Sequence, residues 1–333
     1  MQWGLIGAST IASEHVIAAI RAQAGHAVKS VMSSDAARGA DYAARHGIPE
    51  ATTDLHAILS DPAIGVVYIS TTNEKHFPQA MAAIAAGKHV LCEKPLAMTL
   101  EDAVAMVRAA ETKGVVFATN HHLRNAGSHL AVRDLISSGR LGQILSVRVF
   151  HAVHLPAHLQ GWRINDASAG GGVIPDITVH DADTVRFYLG EDPAEVVARS
   201  GVSGMGAGVE DSVMSAWTMP SGVMVQTHES FTHPFAGTGI EVHGTEGSVF
   251  ARGVMTQQPV GEIELADDSG RHVVPFSNHN LYGRALSLFV DAVAGKGRPS
   301  ADGVDGAKSL AVALAVREAA QTGRAVAVDY GGL

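Results

Sequence analysis

Short apolar runs alternate with longer amphipathic runs along the first 120 residues. The short runs have the length of strands that are buried on both faces, and they cover residues 3–6, 27–32, 66–70, 89–92 and 115–119. Between them, apolar residues recur at spacings of three and four, which predicts helices at 11–23, 36–45, 77–86 and 100–113. Thr99 and Asp102 form a capping box before the last of these helices. Alternating strands and helices predict a doubly wound parallel sheet in a domain of residues 1–120.

The pattern changes after residue 120. A helix is predicted at 128–138, and alternating polar and apolar runs follow at 144–151, 196–200, 212–219, 223–227, 239–243, 248–251 and 263–265. Turns that contain Gly or Pro separate these runs, which is typical of a mostly antiparallel sheet with one open face. Helices are predicted again at 282–294 and 306–320. The sequence thus predicts a second, α+β domain at 121–333, whose open sheet can pair subunits, so a monomer and a homo-oligomer both stay open.

Composition narrows the class of protein. A chain of 333 residues can form two domains, and a content of 46% hydrophobic and 17% charged residues is typical of a globular protein. The net charge of −9 leaves no basic surface for nucleic acid, and no segment has the length of a membrane span. The single cysteine, Cys92, suits a reducing compartment, so we expect a cytoplasmic protein.

The first predicted strand leads into a turn of small residues, Gly7-Ala8-Ser9-Thr10-Ile11-Ala12, at the start of a helix. Dinucleotide-binding folds of the Rossmann type carry their glycine-rich turn at this place, where a pyrophosphate approaches the helix N-terminus. The second and third glycines of that motif are absent, although small residues replace them. We predict a cofactor-binding turn, with an ordinary strand-to-helix turn as the alternative. Its ligands would be Gly7, Ser9, Thr10, Ile11 and Ala12.

The end of the second strand indicates which dinucleotide binds. NAD sites place Asp or Glu there to bind the ribose 2′-hydroxyl, whereas this strand ends in Ser33 and Ser34, with Arg38 one turn further on. Hydroxyl and guanidinium groups can bind a 2′-phosphate that a carboxylate would repel. The pattern favours NADP(H). Asp35 leaves NAD open if the strand ends two residues later.

Polar residues also follow the third and fifth predicted strands. Ligands of parallel sheets bind beyond the carboxyl ends of the strands, so these side chains are candidate ligands, with helix capping as the alternative. We predict cofactor contacts from Thr71, Thr72, Asn73, His76 and Asn120, and a substrate contact from His121.

Cys92-Glu93-Lys94-Pro95 follows the fourth strand. A lysine at the end of a buried strand loses hydration, which makes proton transfer near neutral pH easier. Pro95 restricts the residue before it to extended conformations, so the backbone aims Lys94. We predict that Glu93 and Lys94 lie at the cofactor and that Lys94 contacts the substrate; a solvated charge pair is the alternative.

These motifs, in this order, resemble the Gfo/Idh/MocA family of oxidoreductases over nearly the whole chain. The second half matches the family's glycine-rich motif with its Asp and His, in the segment Gly170-Gly171-Gly172-Val173-Ile174-Pro175-Asp176-Ile177-Thr178-Val179-His180. The resemblance implies NADPH-dependent reduction of the ketone of a sugar, with Lys94, Asp176 and His180 as catalytic and substrate-binding residues. Asp176 and His180 share one helical face, where a carboxylate favours the protonated imidazole. Pro175 fits if this helix begins near Ile174.

Trp162 and Arg163 precede the glycines and are predicted to contact the sugar and the cofactor. His151, His154 and His158 straddle a strand end and a proline, so no metal site is predicted from their spacing. Three alternatives remain: another NAD(P)-dependent sugar or polyol dehydrogenase, an NAD-dependent glycosidase on the same fold, and a sugar-sensing regulator without activity.

Overall fold

A computed structural model describes residues 1–333, and the chain divides into two units. The first unit contains Met1–His121 and Tyr282–Ala307, and the second contains His122–Leu281 and Lys308–Leu333. The sequence predicts that every residue after 120 belongs to the second domain. The structure instead places the later segment 282–307 in the first unit.

The first unit contains a six-stranded parallel sheet. Its strands are β1 (Gln2–Ile6), β2 (Ala27–Met32), β3 (Glu50–Thr52), β4 (Ile64–Ile69), β5 (His89–Cys92) and β6 (Phe117–Thr119). They are arranged in the order β3-β2-β1-β4-β5-β6, and every neighbouring pair is parallel. The predicted doubly wound sheet is confirmed. The sequence missed β3 because this edge strand is short and mostly exposed, and therefore has no apolar run.

Helices connect these strands. They are α1 (Ile17–Arg21), α2 (Ala36–His46), α3 (Leu55–Leu59), α4 (His76–Ala85) and α5 (Leu100–Lys113). A π-helical turn at Ala12–Val16 leads into α1, so the helix predicted at 11–23 is less regular than expected. At the start of α5, the Thr99 hydroxyl accepts a hydrogen bond from the Asp102 amide at 3.2 Å, as predicted for a helix cap.

The second unit is built on a nine-stranded sheet. Its strands are β7 (Ile144–Ala152), β8 (Glu195–Gly201), β9 (Ser212–Thr218), β10 (Met224–Ser230), β11 (Thr238–Gly244), β12 (Gly247–Arg252), β13 (Glu262–Asp267), β14 (Gly270–Val273) and β15 (Val326–Ala327). The order is β14-β13-β12-β11-β7-β10-β9-β8-β15. Only β7 and β10 pair in parallel, so the prediction of a mostly antiparallel sheet is confirmed.

The remaining helices are α6 (Gly127–Ser137), α7 (Trp162–Asn165), α8 (Val179–Leu189), α9 (Leu281–Val293) and α10 (Gly303–Thr322). In the second unit, Val185 of α8 and Val316 of α10 belong to the same buried apolar cluster as Val147 of β7. Along β7, Val147 and Val149 are buried, whereas Leu145 and Phe150 are exposed. One face of the sheet therefore carries the core and the other is open. None of the helices is long and apolar enough to span a bilayer.

The returning segment, 282–307, is attached to the first sheet by specific contacts. The Phe289 ring of α9 packs against Trp3 of β1 with 5.6 Å between ring centroids. The side-chain amide of Gln23 donates to the Gly283 carbonyl at 3.3 Å, and the backbone amide of Thr119 donates to the Ala301 carbonyl at 3.1 Å. These contacts join residues that are far apart in the chain, which is why hydrophobic periodicity could not place the segment.

A buried histidine connects α6 with α8 in the second unit. His129 is fully buried; its Nε2 lies 3.1 Å from the Val254 carbonyl oxygen, and its Nδ1 accepts from the Tyr188 hydroxyl at 2.8 Å. This bonding pattern assigns the hydrogen to Nε2. Burial is the main cause that lowers the pKa of His129 from 6.5 to about 4.

This pKa predicts a loss of stability in acid. Between the two pKa values the unfolded chain binds a proton that folded His129 does not, so its contribution is complete above pH 6.5 and is lost as the pH falls toward about 4. Glutamine can make both hydrogen bonds without titrating. In the wild type, this titration makes the free energy of unfolding about 2 kcal/mol lower at about pH 5 than at about pH 7.5. We expect His129→Gln to abolish this part of the pH dependence. Urea unfolding of both proteins at each pH measures this difference, and identical pH dependence in both would contradict it.

Candidate active site

The turn after β1 is built around one glycine. Gly7 has φ +115°, and a Cβ there would lie 2.9 Å from the carbonyl carbon of Ser70, so only glycine fits. The Ser9 hydroxyl donates to Ser70 Oγ at 2.7 Å and accepts from the Ala12 amide at 3.2 Å. The predicted cofactor ligands Thr10 and Ile11 lie on the same turn, exposed and half-buried respectively. The turn thus has the close backbone packing that a pyrophosphate site needs.

Ser33, Ser34 and Arg38 form one cluster at the end of β2. The Arg38 guanidinium donates from Nε to Ser33 Oγ at 3.1 Å and from Nη2 to Ser34 Oγ at 3.3 Å. Asp35 instead caps α2 and accepts from the Arg38 amide at 2.7 Å. Since β2 ends at Met32, the condition under which Asp35 would replace the missing carboxylate at the strand end is not met.

Hydrogen bonds between side chains hold the loop after β4. The Thr71 hydroxyl donates to Gln79 Oε1 at 2.7 Å, and the Thr72 hydroxyl donates to Glu74 Oε1 at 2.8 Å. Asn73, another predicted cofactor ligand, is buried in the same loop. The side chains therefore order the loop that follows the strand.

His76 has a different position from the one that the sequence suggested. It is fully buried, and its Nδ1 and Nε2 lie 2.8 and 3.2 Å from the carbonyl oxygens of Pro95 and Thr71. Burial lowers the pKa of His76, although both carbonyls favour the protonated ring. With both nitrogens directed at backbone, His76 joins two loops rather than presenting a ligand atom to a cofactor.

The loop after β5 carries the predicted lysine. Glu93 accepts hydrogen bonds from the Tyr68 hydroxyl and from the Asn120 side-chain amide, each at 2.5 Å. Glu93 is therefore a half-buried anchor of this loop rather than a fully solvated charge. Lys94 is half-buried, and the Lys94–Pro95 peptide is cis.

Asn120 has an unsatisfied acceptor. It is 2% exposed, its amide nitrogen is used by Glu93, and its Oδ1 has no hydrogen-bond partner. A buried carbonyl oxygen without a donor is costly, which is consistent with a ligand donor at this place. The neighbouring His121, predicted to contact substrate, is equally buried.

In the second unit, α7 carries the predicted sugar contacts next to the predicted acid. The Arg163 guanidinium lies over the Trp162 ring, 4.7 Å from its centroid, and Arg163 Nε lies 3.6 Å from Asp176 Oδ1. The Gly172 amide donates to the Arg163 carbonyl at 2.8 Å. The structure therefore brings Trp162 and Arg163 together with Asp176, and the link runs through the glycine-rich segment.

Asp176 and His180 lie on one continuous helical segment. A π-helical turn at Ile174–Thr178 leads into α8, and Pro175 stands in its first turn, as required for a helix that begins near Ile174. The His180 ring meets the His122 ring edge-on, with 4.9 Å between centroids, and lies 6.4 Å from the His151 ring. His180 is thus a buried histidine within a group of three.

The sequence missed His151 as a neighbour of His180. It follows Val147 and Val149 on the buried face of β7, a period-two pattern that could have placed it inside the unit. The sequence singles out His151 only as a candidate metal ligand, together with His154 and His158.

The glycine-rich segment requires a close approach at Gly172. Gly172 has φ +113°, and a Cβ would lie 2.4 Å from Glu210 Oε1. The Glu210 carbonyl oxygen accepts a hydrogen bond from the Val173 amide at 3.0 Å. Glu210 Oε1 accepts one from the Ile174 amide at 3.3 Å. Glu210 therefore caps the helical segment that carries Asp176 and His180, and a side chain at Gly172 would displace that cap.

We expect Gly172→Ala to lower the free energy of unfolding by about 1–3 kcal/mol, because alanine is strained at this φ and collides with Glu210. Urea unfolding measures the loss. Gly201→Ala is the matched control, since Gly201 has no positive φ and its Cβ would meet open space. Equal stability of the two variants would contradict the prediction.

Comparison with known proteins agrees with this arrangement. An oxidoreductase family model with an NAD-binding Rossmann fold matches residues 1–121, and the model of the GFO/IDH/MocA C-terminal domain matches residues 129–250. The chain is 58% identical, over 331 residues and 99% of each chain, to the 1,5-anhydro-D-fructose reductase of Ensifer adhaerens. It is 29% identical to D-xylose 1-dehydrogenase (NADP(+)) 2 of Haloferax volcanii, over 99% of this chain and 100% of that protein.

A solved structure of levoglucosan dehydrogenase in complex with NADH and levoglucosan has the same fold. The TM-score is 0.88 and the identity 26%, with 99% of each chain covered. Since the two family models together match well over half of the sequence, the predicted resemblance is confirmed: this protein belongs to the Gfo/Idh/MocA family of oxidoreductases.

Proposed function

We propose that this protein reduces the ketone of 1,5-anhydro-D-fructose to 1,5-anhydro-D-mannitol with NADPH. The observation that carries the proposal is the 58% identity, over 99% of both chains, to a 1,5-anhydro-D-fructose reductase. The segments Gly-Ala-Ser-Thr-Ile-Ala, Cys-Glu-Lys-Pro-Leu-Ala-Met-Thr and His-Leu-Gln-Gly-Trp-Arg, at positions 7–12, 92–99 and 158–163, resemble that enzyme. The three candidate catalytic residues, Lys94, Asp176 and His180, are all present.

The residues of the first unit fit a dinucleotide with a 2′-phosphate. Gly7 leaves no room for a side chain on the turn after β1, and Asn120 Oδ1 lacks a donor. The exposed Arg38 guanidinium, held by the Ser33 and Ser34 hydroxyls, supplies positive charge beyond the end of β2. A guanidinium suits a phosphate better than a neutral ribose hydroxyl, which supports NADP(H) over NAD(H). NADPH supplies the hydride when it is bound.

The chain's own residues would handle the proton and the developing charge. His180 donates a proton to the substrate oxygen, and Asp176 orients His180. Lys94 stabilises the negative charge on that oxygen or shares the proton donation. Arg163, which lies over Trp162 and beside Asp176, would hold sugar hydroxyls and keep the carboxylate in place.

Oxidation of NADPH and of NADH, followed by absorbance with 1,5-anhydro-D-fructose as substrate, tests the proposal. We expect fast oxidation of NADPH and much slower oxidation of NADH. Folded protein that binds NADPH but leaves the sugar unchanged would contradict the substrate. Levoglucosan and D-xylose, each with NAD⁺ or NADP⁺, then test the alternative of another sugar dehydrogenase, because relatives of this chain carry those names.

A further inference from the structure

A continuous chain of buried polar side chains crosses the second unit behind His180. It begins in the sheet, where Trp217 Nε1 donates to Ser215 Oγ at 2.8 Å. The Ser215 and Thr227 hydroxyls are 2.7 Å apart, and Thr227 Oγ1 donates to Glu229 Oε2 at 3.0 Å. All four residues are buried, so water does not provide alternative partners.

The direction of these hydrogen bonds follows from the indole. Trp217 can only donate, so Ser215 accepts from it and turns its own hydrogen toward Thr227. The Thr227 hydrogen then points at Glu229. One oxygen of the Glu229 carboxyl therefore has its donor.

The other end of the chain reaches His151. His151 Nδ1 lies 2.7 Å from Asp181 Oδ1, and the Asp181 carboxyl lies within hydrogen-bonding reach of the Glu229 carboxyl. Two oxygens remain, Asp181 Oδ2 and Glu229 Oε1. Both are buried, and Asp181 Oδ2 has no donor among the surrounding side chains and backbone groups. A single proton between the two carboxyls would satisfy both oxygens.

Electrostatics also favour a shared proton. Both carboxyls have no exposed surface, and burial is the main cause that raises the pKa of Asp181 and of Glu229 well above the usual range. The charge on Asp181 raises the pKa of Glu229 further, because two carboxylates at this distance repel each other. The pair titrates as one unit, and loss of its first proton leaves the second strongly held.

The surroundings do not remove the need for this proton. The Thr178 hydroxyl lies beside Glu229 and can donate to that residue, but it leaves Asp181 Oδ2 without a donor. The other titratable or charged groups nearby are His151, His180, His122, His129 and the ion pair of Arg124 with Asp183 at 2.7 Å.

We propose that Asp181 and Glu229 share one proton at neutral pH and that this carboxyl pair positions His151, with its hydrogen on Nδ1, beside His180. The proposal deepens the proposed function and rests on it for the role of His180 as proton donor. Asp181 and Glu229 are positioning residues, since they act through His151. The same arrangement would fix the tautomer of His151, because Nδ1 is committed to Asp181.

Amide substitutions test the count of protons without changing the shape. Glu229→Gln can donate from its amide to Asp181, and Asp181→Asn can donate to Glu229, so each single variant keeps the net charge of a pair that holds one proton. Each should therefore fold with little loss of stability. The double variant Asp181→Asn with Glu229→Gln removes the remaining charge.

Infrared difference spectra of the whole protein at neutral pH give the direct measurement. Wild type minus Glu229→Gln should show the loss of one protonated carboxyl band, and Glu229→Gln minus the double variant should show the loss of one carboxylate band. Loss of carboxylate in the first step would mean that both groups are ionised. Loss of a protonated carboxyl in the second step would mean that both are neutral. Either result overturns the proposal, and neither depends on the substrate being right.

The titration of the His151 ring separates positioning from a purely structural role. Glu229→Gln confines the negative charge to Asp181, next to His151, and should raise the pH at which this ring titrates. Asp181→Asn confines the charge to Glu229, further away, and should lower it. Nuclear magnetic resonance of histidine-labelled protein, with His151→Gln for assignment, measures both shifts. Shifts in the same direction, or none, would overturn the positioning role.

With a confirmed sugar substrate, kcat should fall more in Asp181→Asn than in Glu229→Gln. The reverse order would also contradict the positioning role.

Discussion

Replacing His180 with alanine is expected to lower kcat for the sugar ketone by about 10²–10⁴-fold, the usual contribution of a general acid. NADPH affinity should change little. The reason is the position of the side chain, which lies on the helical segment of the second unit against the His122 ring, whereas most of the candidate cofactor ligands follow strands of the first unit. Steady-state kinetics and fluorescence titration with NADPH measure the two quantities separately.

Lys94→Ala should behave in the same way, with a large loss of kcat and a small change in NADPH affinity, because its ammonium is assigned to the substrate oxygen. His56→Ala is the matched control for His180→Ala, since His56 is exposed on α3. Comparable losses of turnover and of cofactor affinity in His180→Ala or Lys94→Ala would remove the catalytic roles proposed for these residues.

Arg38→Ala is expected to weaken NADPH binding by about 10–100-fold and to leave NADH binding almost unchanged. A hydrogen bond between a guanidinium and a phosphate is charge-assisted, and it exists only for the cofactor that carries the 2′-phosphate. Ser33 and Ser34 hold the Arg38 side chain, so it is ordered before the ligand arrives and little conformational entropy is lost on binding. Isothermal titration with each cofactor measures both affinities.

Arg45→Ala provides the control on the same helix. Arg45 is exposed and pairs with Asp41 at 2.9 Å, one turn away, so its removal changes the net charge by the same amount without touching the Ser33 cluster. If Arg38→Ala weakened the binding of NADH and of NADPH equally, Arg38 would stabilise the fold or contact a group that both cofactors contain. The preference for NADPH would then need another source.

The first unit could be predicted well because its signals are local. The strands β2 and β5 and the helix α5 have the boundaries that hydrophobic periodicity predicted, and Thr99 caps α5. The cluster of Ser33, Ser34 and Arg38 lies within six consecutive residues, so the end of one strand and the first turn of one helix bring it together. Short exposed elements such as β3 were missed because they bury no apolar face.

The roles of buried polar residues were less accessible from the sequence. The sequence predicts Glu93 at the cofactor, with a solvated charge as the alternative, and it does not show that Glu93 accepts from Tyr68 and Asn120, which belong to different strand ends. His76 resembled a ligand, yet both of its ring nitrogens face backbone carbonyl oxygens. In each case the partner is distant in the chain, and one sequence contains no record of such pairs.

The sequence by itself determined the alternation of strands and helices, the small-residue turn after β1, the absence of a carboxylate at the end of β2 and the presence of Lys94, Asp176 and His180. These features depend on residues within a few positions of one another, where backbone geometry alone controls which side chains can be in contact. Only the tertiary structure decided that Arg163 faces Asp176, that Glu210 caps the helix of His180 and that Asp181 meets both His151 and Glu229. Those contacts join separate elements through packing, and burial then removes water as an alternative partner, so the hydrogen bonds and protons follow from the fold.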